Sequence, residues 1–572
     1  VDRIEILRGS APVMYGATSF VGVIHVLHRQ AGEGEREVRL TGGSYGSGSA
    51  SFSSALPEAG GFQQSIAING EQHGFKDDRT EFTRGHLLYR ATRGGFRFDL
   101  DGTILAQDPA SPHPRVGTGL TPLVPLDANH NPSDAKIDEN RLHFVSGYDR
   151  TLGQGNWSTT LSLTRSERDT VRGFLNRIAQ PTPANPNNAR GYEQDLSIID
   201  VYFDTHVVLH PQSDLQLILG FDHLYGRAEG EAEDFDYGVN LNGSGAPDSS
   251  SLTRRVGFEV EDERNFSGLY AQGEWNPVPR LRFLVGARLN HTAEDREAEE
   301  EPLAGEEPGE EEEEGGSDSR TVTRGSGTFG INFLAWERDD DAIWLYTDYR
   351  NTYKPAAIDF GPEAEPDILE PETAVSYEVG AKGRHFGGRL DWDVSAFQMD
   401  FENLVLSQVV NGLPQLINAG SERFKGIELE TRLLVRTDLS AQLAYSWHEA
   451  QFRDFLREFD GVPRQLNGNF LEMTAEHMGS AGVLWAPASG WIGSVAWNYV
   501  GERWLNQRNT ALAPDYSTVS AGVGYRFSWG ELRLDGENLN DTRPPVAESE
   551  LGDAQYYRLP ARSFRLGWAS HF

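Results

Sequence analysis

The chain carries many side chains that could support acid–base or metal chemistry, with 15 histidines and 86 acidic residues. Their spacing matches no catalytic pattern: there is no G-x-S-x-G nucleophile motif in a strand–turn–helix context, and no H-E-x-x-H, phosphate-loop or dinucleotide motif. His206 and His210 are four residues apart, but the segment resembles a strand, which separates them too far for a ligand pair. We therefore predict no catalytic residue, no bound metal and no cofactor.

Composition limits the partners and the compartment. The excess of 86 acidic over 51 basic residues gives a net charge of -35, which argues against nucleic acid as a partner. Cysteine is absent, as suits an oxidising compartment. No apolar run approaches the roughly 20 residues of a transmembrane helix. A mean hydropathy of -0.51 is still compatible with a transmembrane barrel, because only alternate strand residues face lipid.

Strand-length segments of alternating character fill the chain from about residue 36. In residues 281–290, one face carries Leu281, Phe283, Val285, Ala287 and Leu289, and the other carries Arg282, Arg288 and Asn290. Residues 439–448 and 519–527 repeat this pattern. Soluble sandwiches also alternate, but a second face of Arg, Glu, His and Gly is typical of a polar lumen. The sequence predicts an all-β fold, a transmembrane antiparallel barrel of about 22 strands.

The connections between these segments are of two sizes. Residues 276–279 form a short one, and long polar ones are predicted at residues 108–137, 174–195, 228–262, 291–324 and 450–470. This asymmetry indicates tight periplasmic turns and long extracellular loops. The acidic stretch at 294–316, with Glu310 to Glu314, is interpreted as a mobile loop, and a loose divalent-cation trap is the alternative.

The first 26 residues carry a specific motif. Residues 1–12 read VDRIEILRGSAP, and they continue through Tyr15-Gly16-Ala17 to Gly22-Val23-Ile24-His25-Val26. This run resembles the end of the plug domain in TonB-dependent outer-membrane receptors. The resemblance implies that residues 1–30 are the C-terminal end of a plug and 36–572 the barrel. It also implies that Glu5 and Arg8 lock the plug to the barrel wall; solvated strand residues are the alternative.

Later segments resemble the same family. They are Tyr353-Lys354-Pro355, Leu369-Glu370-Pro371-Glu372, Asn418-Ala419-Gly420, Glu537-Asn538-Leu539-Asn540-Asp541 and Pro560-Ala561-Arg562-Ser563-Phe564. The final Phe564, Leu566, Trp568 and Phe572 resemble the signal read by the barrel assembly machinery. The resemblance therefore covers essentially the whole chain. It implies a monomer in the lipid of a Gram-negative outer membrane.

The family resemblance implies energised uptake of a scarce nutrient, most favourably a ferric siderophore. Its energy-coupling partner, the TonB complex, would act through an N-terminal region that we expect to lie outside this sequence. Cobalamin or an oligosaccharide remains an alternative ligand, a passive diffusion channel an alternative class, and an enzyme a distant third. Haem receptors of this family carry a histidine between the mid-barrel motifs. Residues 356–368, which lie between them here, contain no histidine, so haem is disfavoured as the ligand. Loop aromatics predicted to contact the ligand are Phe235, Tyr237, Phe360 and Trp504, although interfacial girdle positions would explain them equally well.

Overall fold

The computed structural model describes residues 1–8, 13–16, 22–34, 36–301, 316–355, 357–360, 367–410, 413–459 and 462–572. Its N-terminal part is a small antiparallel hairpin of β1 (Arg3–Arg8) and β2 (Gly22–Leu27), with Arg3 opposite Leu27. A 3-10 turn, Val13–Tyr15, lies between them in sequence. Residues 9–12 and 17–21 of the plug-like motif, and the acidic run Glu310 to Glu314, lie outside the described residues.

A closed barrel of 22 antiparallel strands makes up the rest of the fold. The barrel strands are β3 (Glu37–Gly43), β4 (Gly48–Ala59), β5 (Phe62–Gly74), β6 (Glu81–Arg93), β7 (Phe96–Asp108), β10 (Lys136–Leu152), β11 (Gly155–Leu175), β12 (Ala189–Gln212), β13 (Leu215–Tyr237), β14 (Arg254–Val278), β15 (Leu281–Glu301), β16 (Gly316–Arg338), β17 (Asp341–Lys354), β18 (Glu372–His385), β19 (Leu390–Glu402), β22 (Ser421–Arg436), β23 (Leu439–Asp454), β26 (His477–Trp485), β27 (Gly490–Val500), β30 (Tyr516–Arg526), β31 (Gly530–Glu537) and β34 (Ser563–His571). The last strand, β34, pairs with both β31 and β3, so the ring has no free edge.

Short hairpins formed by the loops supply the remaining strands. They are β8 (His113–Val116) with β9 (Gly119–Leu120), β20 (Val405–Val410) with β21 (Leu413–Asn418), β24 (Leu456–Phe459) with β25 (Val462–Gln465), β28 (Arg503–Trp504) with β29 (Leu512–Ala513), and β32 (Pro545–Ser549) with β33 (Gly552–Arg558). Two further 3-10 turns span Ser44–Gly46 and Ser249–Ser251. Within the described ranges, no helix has the length and apolar character needed to cross a membrane.

The two faces of the barrel strands differ as the sequence predicts. On β15, Val285 and Leu289 point outward and are each 53% exposed. Their neighbours Arg288 and Asn290 point inward and are buried. This arrangement recurs around the ring and leaves an apolar outer band and a polar interior. The prediction of an antiparallel barrel of about 22 strands is confirmed.

Several strands are longer than the sequence pattern predicts. Strand β14 has 25 residues and β12 has 24. The predicted loops at 228–262 and 291–324 are therefore wrong over much of their length, since residues 228–237, 254–262, 291–301 and 316–324 are strand. The sequence pattern predicts loops in these segments because both faces of each segment carry polar residues. In the barrel they pair across strands, with Arg264 opposite Glu294 for example.

The C-terminal strand carries the predicted assembly signal. Phe564 and Leu566 face outward, 46% and 51% exposed, and Trp568, on the same face, is half-buried beside Leu40 of β3 and Leu532 of β31. Phe572 follows the strand and is exposed. These apolar residues therefore lie on the outer face where the last strand closes the barrel. Their recognition by the assembly machinery stays a prediction.

Candidate functional site at the mouth of the barrel

The mouth is the end of the barrel that carries the long loops. There the strands β11 to β16 continue past the apolar band, and on β15 the outward residues change from Val285 and Leu289 to the exposed Asp295 and Glu297. This charged part of the wall is called the sleeve, comprising residues 165–175, 189–197, 227–237, 254–265, 292–301 and 316–324. Because outward charges require water, the sleeve rises above the apolar band and its inner face lines the mouth.

Four charged residues face inward on two neighbouring strands of the sleeve. Asp262 lies opposite Arg296, and Arg264 lies opposite Glu294. The Arg264 guanidinium donates two hydrogen bonds to the Glu294 carboxylate, at 2.8 and 2.7 Å. Asp262 is only 1% exposed, and neither of its carboxylate oxygens has a hydrogen-bond partner. Burial, with the neighbouring Glu294 adding to the effect, raises the pKa of Asp262 to about 7, so this carboxyl keeps its proton up to near-neutral pH.

The loop between β17 and β18 folds inward onto this wall. Phe360 packs against Val260 and Ala298, and its carbonyl accepts a hydrogen bond from the side-chain amide of Gln194. The neighbouring Asp359 accepts a hydrogen bond from the backbone N–H of Leu416, at 2.7 Å, through its carboxylate. Of the four predicted contact residues, Phe360 therefore lies on the inner wall of the mouth.

The β20–β21 hairpin, called the crossing hairpin below, reaches across the mouth. It arises between β19 and β22, yet Leu413 is fully buried against Phe174 and Tyr192 on the far side of the ring and against Leu551. The hydroxyl of Ser407 on the same hairpin donates a hydrogen bond to the carbonyl of Glu550. The hairpin and the inward-folded loop beside it together cover the opening.

Two of the predicted contact residues are part of a loop core. Phe235 and Tyr237 are 0% and 1% exposed, with ring centroids 6.0 Å apart. They pack with Val124 and Val239, and the Tyr237 hydroxyl donates a hydrogen bond to the carbonyl of His130 at 2.8 Å. In this arrangement the two rings pack the loops against one another. Ligand contact by these two rings stays a prediction that requires the loops to open.

Trp504, the fourth predicted contact residue, lies in the β28–β29 hairpin, in a different loop from the other three. Its carbonyl accepts a hydrogen bond from the N–H of Met473 at 2.8 Å. The structure thus brings Phe235 and Tyr237 together but leaves Phe360 and Trp504 in separate parts of the mouth. Ligand contact by Trp504 stays a prediction.

A junction of acidic side chains holds the loops beside Trp504. Burial raises the pKa of Glu548 to about 9, and the neighbouring Glu472 and Asp553 add to this effect. Burial also raises the pKa of Glu472, whose carboxylate accepts a hydrogen bond from the Gln507 side chain at 2.7 Å. One oxygen of each glutamate has no partner. The junction is therefore most stable when protons are shared among these groups. Across the part of the chain that the structure describes, no group of three or more His, Asp or Glu side chains is arranged to hold a metal ion.

The plug-like segment touches the barrel through apolar residues. Val13 is buried against Ile218 and Tyr270 of the inner wall. Glu5 is exposed and accepts a hydrogen bond from Arg3 at 2.7 Å, with His25 3.6 Å away on the paired strand. Arg8 ends β1, and its side chain is outside the described set. The locking role of Glu5 and Arg8 stays a prediction.

Comparison with known proteins identifies the family. Residues 71–539 match the model of the β-barrel of TonB-dependent receptor-like proteins. The chain belongs to this family. It is 24% identical over 506 residues to the ferric-pyoverdine BN7/BN8 receptor of Pseudomonas putida, covering 82% of the chain and 58% of the relative. It is 25% identical over 208 residues to the ferrioxamine receptor of Yersinia enterocolitica, covering 36% and 27%. The chain thus spans little more than half of the first relative and about a quarter of the second.

Solved structures show the same fold. The siderophore receptor PiuA of Acinetobacter baumannii superposes with a TM-score of 0.81 at 16% identity, over 100% of this chain and 86% of that one. The ferric yersiniabactin uptake receptor of Yersinia pestis gives 0.79 at 14% identity, over 100% and 85%. The protein is a Gram-negative outer-membrane barrel of a family of transport receptors, not of enzymes. The extracellular position of the long loops stays a prediction.

Sequence reasoning missed the residues that shape the mouth. Asp262, Glu294 and Arg296 fell in segments interpreted as loop, and Arg264 lies just beyond one of them. Asp262 and Arg264 are two residues apart, as are Glu294 and Arg296, and a spacing of two is that of residues on one face of a strand. The crossing hairpin carries a local signal, since Asn411-Gly412 between apolar runs is a typical hairpin turn sequence. Nothing in the sequence shows that Leu413 meets Phe174.

Proposed function

We propose that the chain is the barrel of a receptor that takes up a ferric siderophore through the outer membrane, with energy supplied through TonB. The observation that carries this proposal is the family match over residues 71–539, together with relatives whose names describe ferric-siderophore receptors. The mouth supports it, since Phe360 and the β20–β21 hairpin converge over the opening from separate loops. Loops folded over a wide barrel suit capture of one ligand better than free diffusion.

Uptake requires binding and release but no covalent chemistry. In the proposed cycle, the ligand settles between the sleeve and the plug, and the loops around Phe360 and Leu413 exclude water from it. Ligand binding alone can shift a conformational equilibrium only by its differential affinity for the two states. Passage through the lumen therefore needs work delivered from the energy-coupling complex to the plug.

Binding to the full-length receptor, purified in detergent, tests the substrate class. Gallium or ferric complexes of several siderophores, cyanocobalamin and an oligosaccharide would each be titrated by calorimetry. We expect saturable binding of at least one siderophore complex and no binding of its iron-free form. Tight binding of cyanocobalamin or the oligosaccharide alone would replace the siderophore with that nutrient.

A cross-link across the mouth separates a receptor from a passive channel. The chain has no native cysteine, so Ser407→Cys combined with Glu550→Cys gives a single disulfide between the hairpin and the opposite loop. We expect oxidation to block uptake into cells and reduction to restore it. If small hydrophilic solutes passed equally well through the oxidised and the reduced protein, and no specific ligand were found, a passive channel would be favoured. Each single-cysteine variant is the matched control.

A further inference from the structure

An apolar trough on the inner wall of the mouth holds the ring of Phe360. One residue from each of four neighbouring strands forms its floor, and these residues lie directly opposite one another in the sheet: Leu196 of β12, Gly230 of β13, Val260 of β14 and Ala298 of β15. All four are buried. The ring packs against Val260 and Ala298 and lies over Gly230.

The glycine in this row makes room for the ring. A Cβ atom at Gly230 would lie 3.1 Å from Cδ1 of Phe360 and 3.5 Å from Cδ1 of Leu196. The first distance is shorter than an ordinary carbon–carbon contact, so even one added methyl group would push the ring away from the wall. The trough is therefore deep enough for a flat ring only while residue 230 has no side chain.

Hydrogen-bonding groups lie on both sides of the trough. On one side, the side-chain amide of Gln194 donates to the backbone carbonyl of Phe360. On the other side, the Arg296 guanidinium donates to the backbone carbonyl of Asp359. Arg296 is 3% exposed and its Nε has no hydrogen-bond partner, and neither has the carboxyl group of Asp262 directly opposite. The wall therefore offers more hydrogen bonds than the loop uses.

Residues 359–360 fill this site in the way that an aromatic ligand would. They supply one ring and two carbonyl oxygens, and each oxygen accepts a hydrogen bond from the wall. A ring that carries oxygen acceptors is also the iron-binding group of catecholate and phenolate siderophores, whereas hydroxamate groups contain no ring. Because buried polar groups without partners cost free energy, a ligand whose oxygens also reached Nε of Arg296 would gain a contact that the loop leaves unmade.

We propose that the trough binds an oxygen-bearing aromatic ring of the ferric siderophore, and that Phe360 occupies the trough until the ligand displaces it. The ring of the ligand then lies over Gly230, and its oxygens accept hydrogen bonds from Gln194 and Arg296. This inference rests on the proposed function as a siderophore receptor. It adds the chemical class of the ligand and makes Phe360 a competitor of the ligand at this wall.

Competition by Phe360 has a measurable sign. A site that is open for only a fraction of the time binds with an apparent dissociation constant raised by the reciprocal of that fraction. Removal of the Phe360 ring therefore strengthens the binding of an aryl chelate. If the ring instead contacted the bound ligand, its removal would weaken binding. Filling the trough with a larger side chain at residue 230 weakens the binding of an aryl chelate because the ring no longer fits.

Calorimetric titration of the full-length receptor in detergent tests this sign. The probes are ferric enterobactin, a tris-catecholate, the ferric complex of a linear bis-catecholate, and ferrioxamine B, an aliphatic tris-hydroxamate. We expect Phe360→Ala to bind the two aryl chelates about tenfold more tightly than the wild type, and Gly230→Val to bind them about tenfold more weakly. Ferrioxamine B should respond to neither change. Since neither substitution alters a charge, the comparison isolates recognition of the ring.

A matched control exists on the outer face of the sheet. Gly325→Val on β16 makes the same substitution where no atom lies within 4 Å of the added Cβ, and it should leave the binding of all three chelates unchanged. Thermal unfolding shows whether each variant is folded. If Gly230→Val does not fold, Ala298→Leu fills the same trough from β15 and should weaken aryl binding in its place.

The possible outcomes separate this inference from the proposed function. Weaker or unchanged binding of the aryl chelates by folded Phe360→Ala would refute the competition. Tight binding of ferrioxamine B with no binding of either aryl chelate would refute the aryl class and leave siderophore uptake intact. Failure of the wild type to bind any of the three would count against the proposed function itself.

Discussion

The part of a strand in the apolar band and the part in the sleeve differ in the residues that they expose on the outer face. In the apolar band, β15 exposes Val285 to lipid and buries Arg288 against the Asp222 carboxylate, with two contacts of 2.6 Å. In the sleeve, the same strand exposes Glu297 to water and buries Glu294 on the inside. The period of two is constant, and only the outward residues change. The outward residues therefore show whether a strand segment lies within the membrane or above it, and the inward residues are the ones that can serve function.

This difference separates two kinds of constraint. In the band, the buried charges of Arg288 and Asp222 are matched, and outward positions are filled by apolar side chains, as stability requires. At the mouth, the carboxyl groups of Asp262 and Glu422 are buried with no hydrogen-bond partner, an arrangement that costs stability. Substitutions should therefore affect folding in the band and binding or loop position at the mouth. The predictions below test that division, beginning with the largest effect.

Removal of Arg288 should cause the largest loss of stability. The Arg288 and Asp222 side chains are 1% and 3% exposed, so Arg288→Ala leaves a buried carboxylate unpaired. We expect a loss of about 3–5 kcal/mol in the free energy of unfolding, measured by urea denaturation of the barrel in lipid vesicles. Arg282→Ala removes an exposed pair with Glu274, 3.3 Å apart, and should cost about 0–1 kcal/mol. Equal costs for the two variants would contradict the contrast between matched buried and exposed pairs.

A charge on the outer face should distinguish band from sleeve on one strand. Val285→Arg places a cation among lipid tails, and we expect it to cost about 2–4 kcal/mol in the same denaturation experiment. Ala293→Arg lies on the same face in the sleeve, where water solvates the new charge, and should cost about 0–1 kcal/mol. If Ala293→Arg were the more damaging change, the boundary drawn above Leu289 would be in the wrong place.

The band could be predicted from sequence because its signal is local. Val285 and Arg288 reveal their faces through alternation alone, and the terminal Phe564 and Leu566 do the same on the closing strand. In the sleeve, both faces are polar, so alternation carries no hydropathy contrast and the strands read as loops. The strand pairing of Asp262 with Arg296 becomes visible only when register is known.

The mouth could be predicted only in outline, because its contacts are remote in sequence. The aromatic character of Phe235 and Tyr237 suggested ligand contact, yet both rings are buried in a loop core, since large aromatics serve packing as readily as recognition. Leu413 meets Phe174 across the ring, a contact that no local pattern encodes. Phe360 is the predicted contact residue that lies on the inner wall.

Weakening the crossing hairpin should affect loop position more than folding. Leu413→Ala removes a fully buried side chain from the contact with Phe174 and Tyr192, and we expect the hairpin to lose about 2 kcal/mol or more of docking free energy. Hydrogen exchange in residues 405–410 and 413–418 should accelerate, while the global denaturation midpoint stays unchanged. Val409→Ala, at a 41% exposed site on the same hairpin, should accelerate exchange far less. A drop in global stability for Leu413→Ala would mean that the hairpin belongs to the barrel's cooperative core.

The smallest effect we predict is a pH dependence of the loop junction. Burial raises the pKa of Glu548 to about 9, so the folded protein keeps a proton that the unfolded chain releases at lower pH. Because the folded pKa is the higher one, this contribution to stability is complete in acid and is lost as pH rises towards 9. We expect the thermal midpoint of the wild type to fall between pH 6 and about 9 relative to that of Glu548→Gln, and the difference to level off above that range. Glu458→Gln, an exposed change in a neighbouring loop, should follow the wild type, and a parallel pH profile for Glu548→Gln would show that Glu548 is ionised throughout.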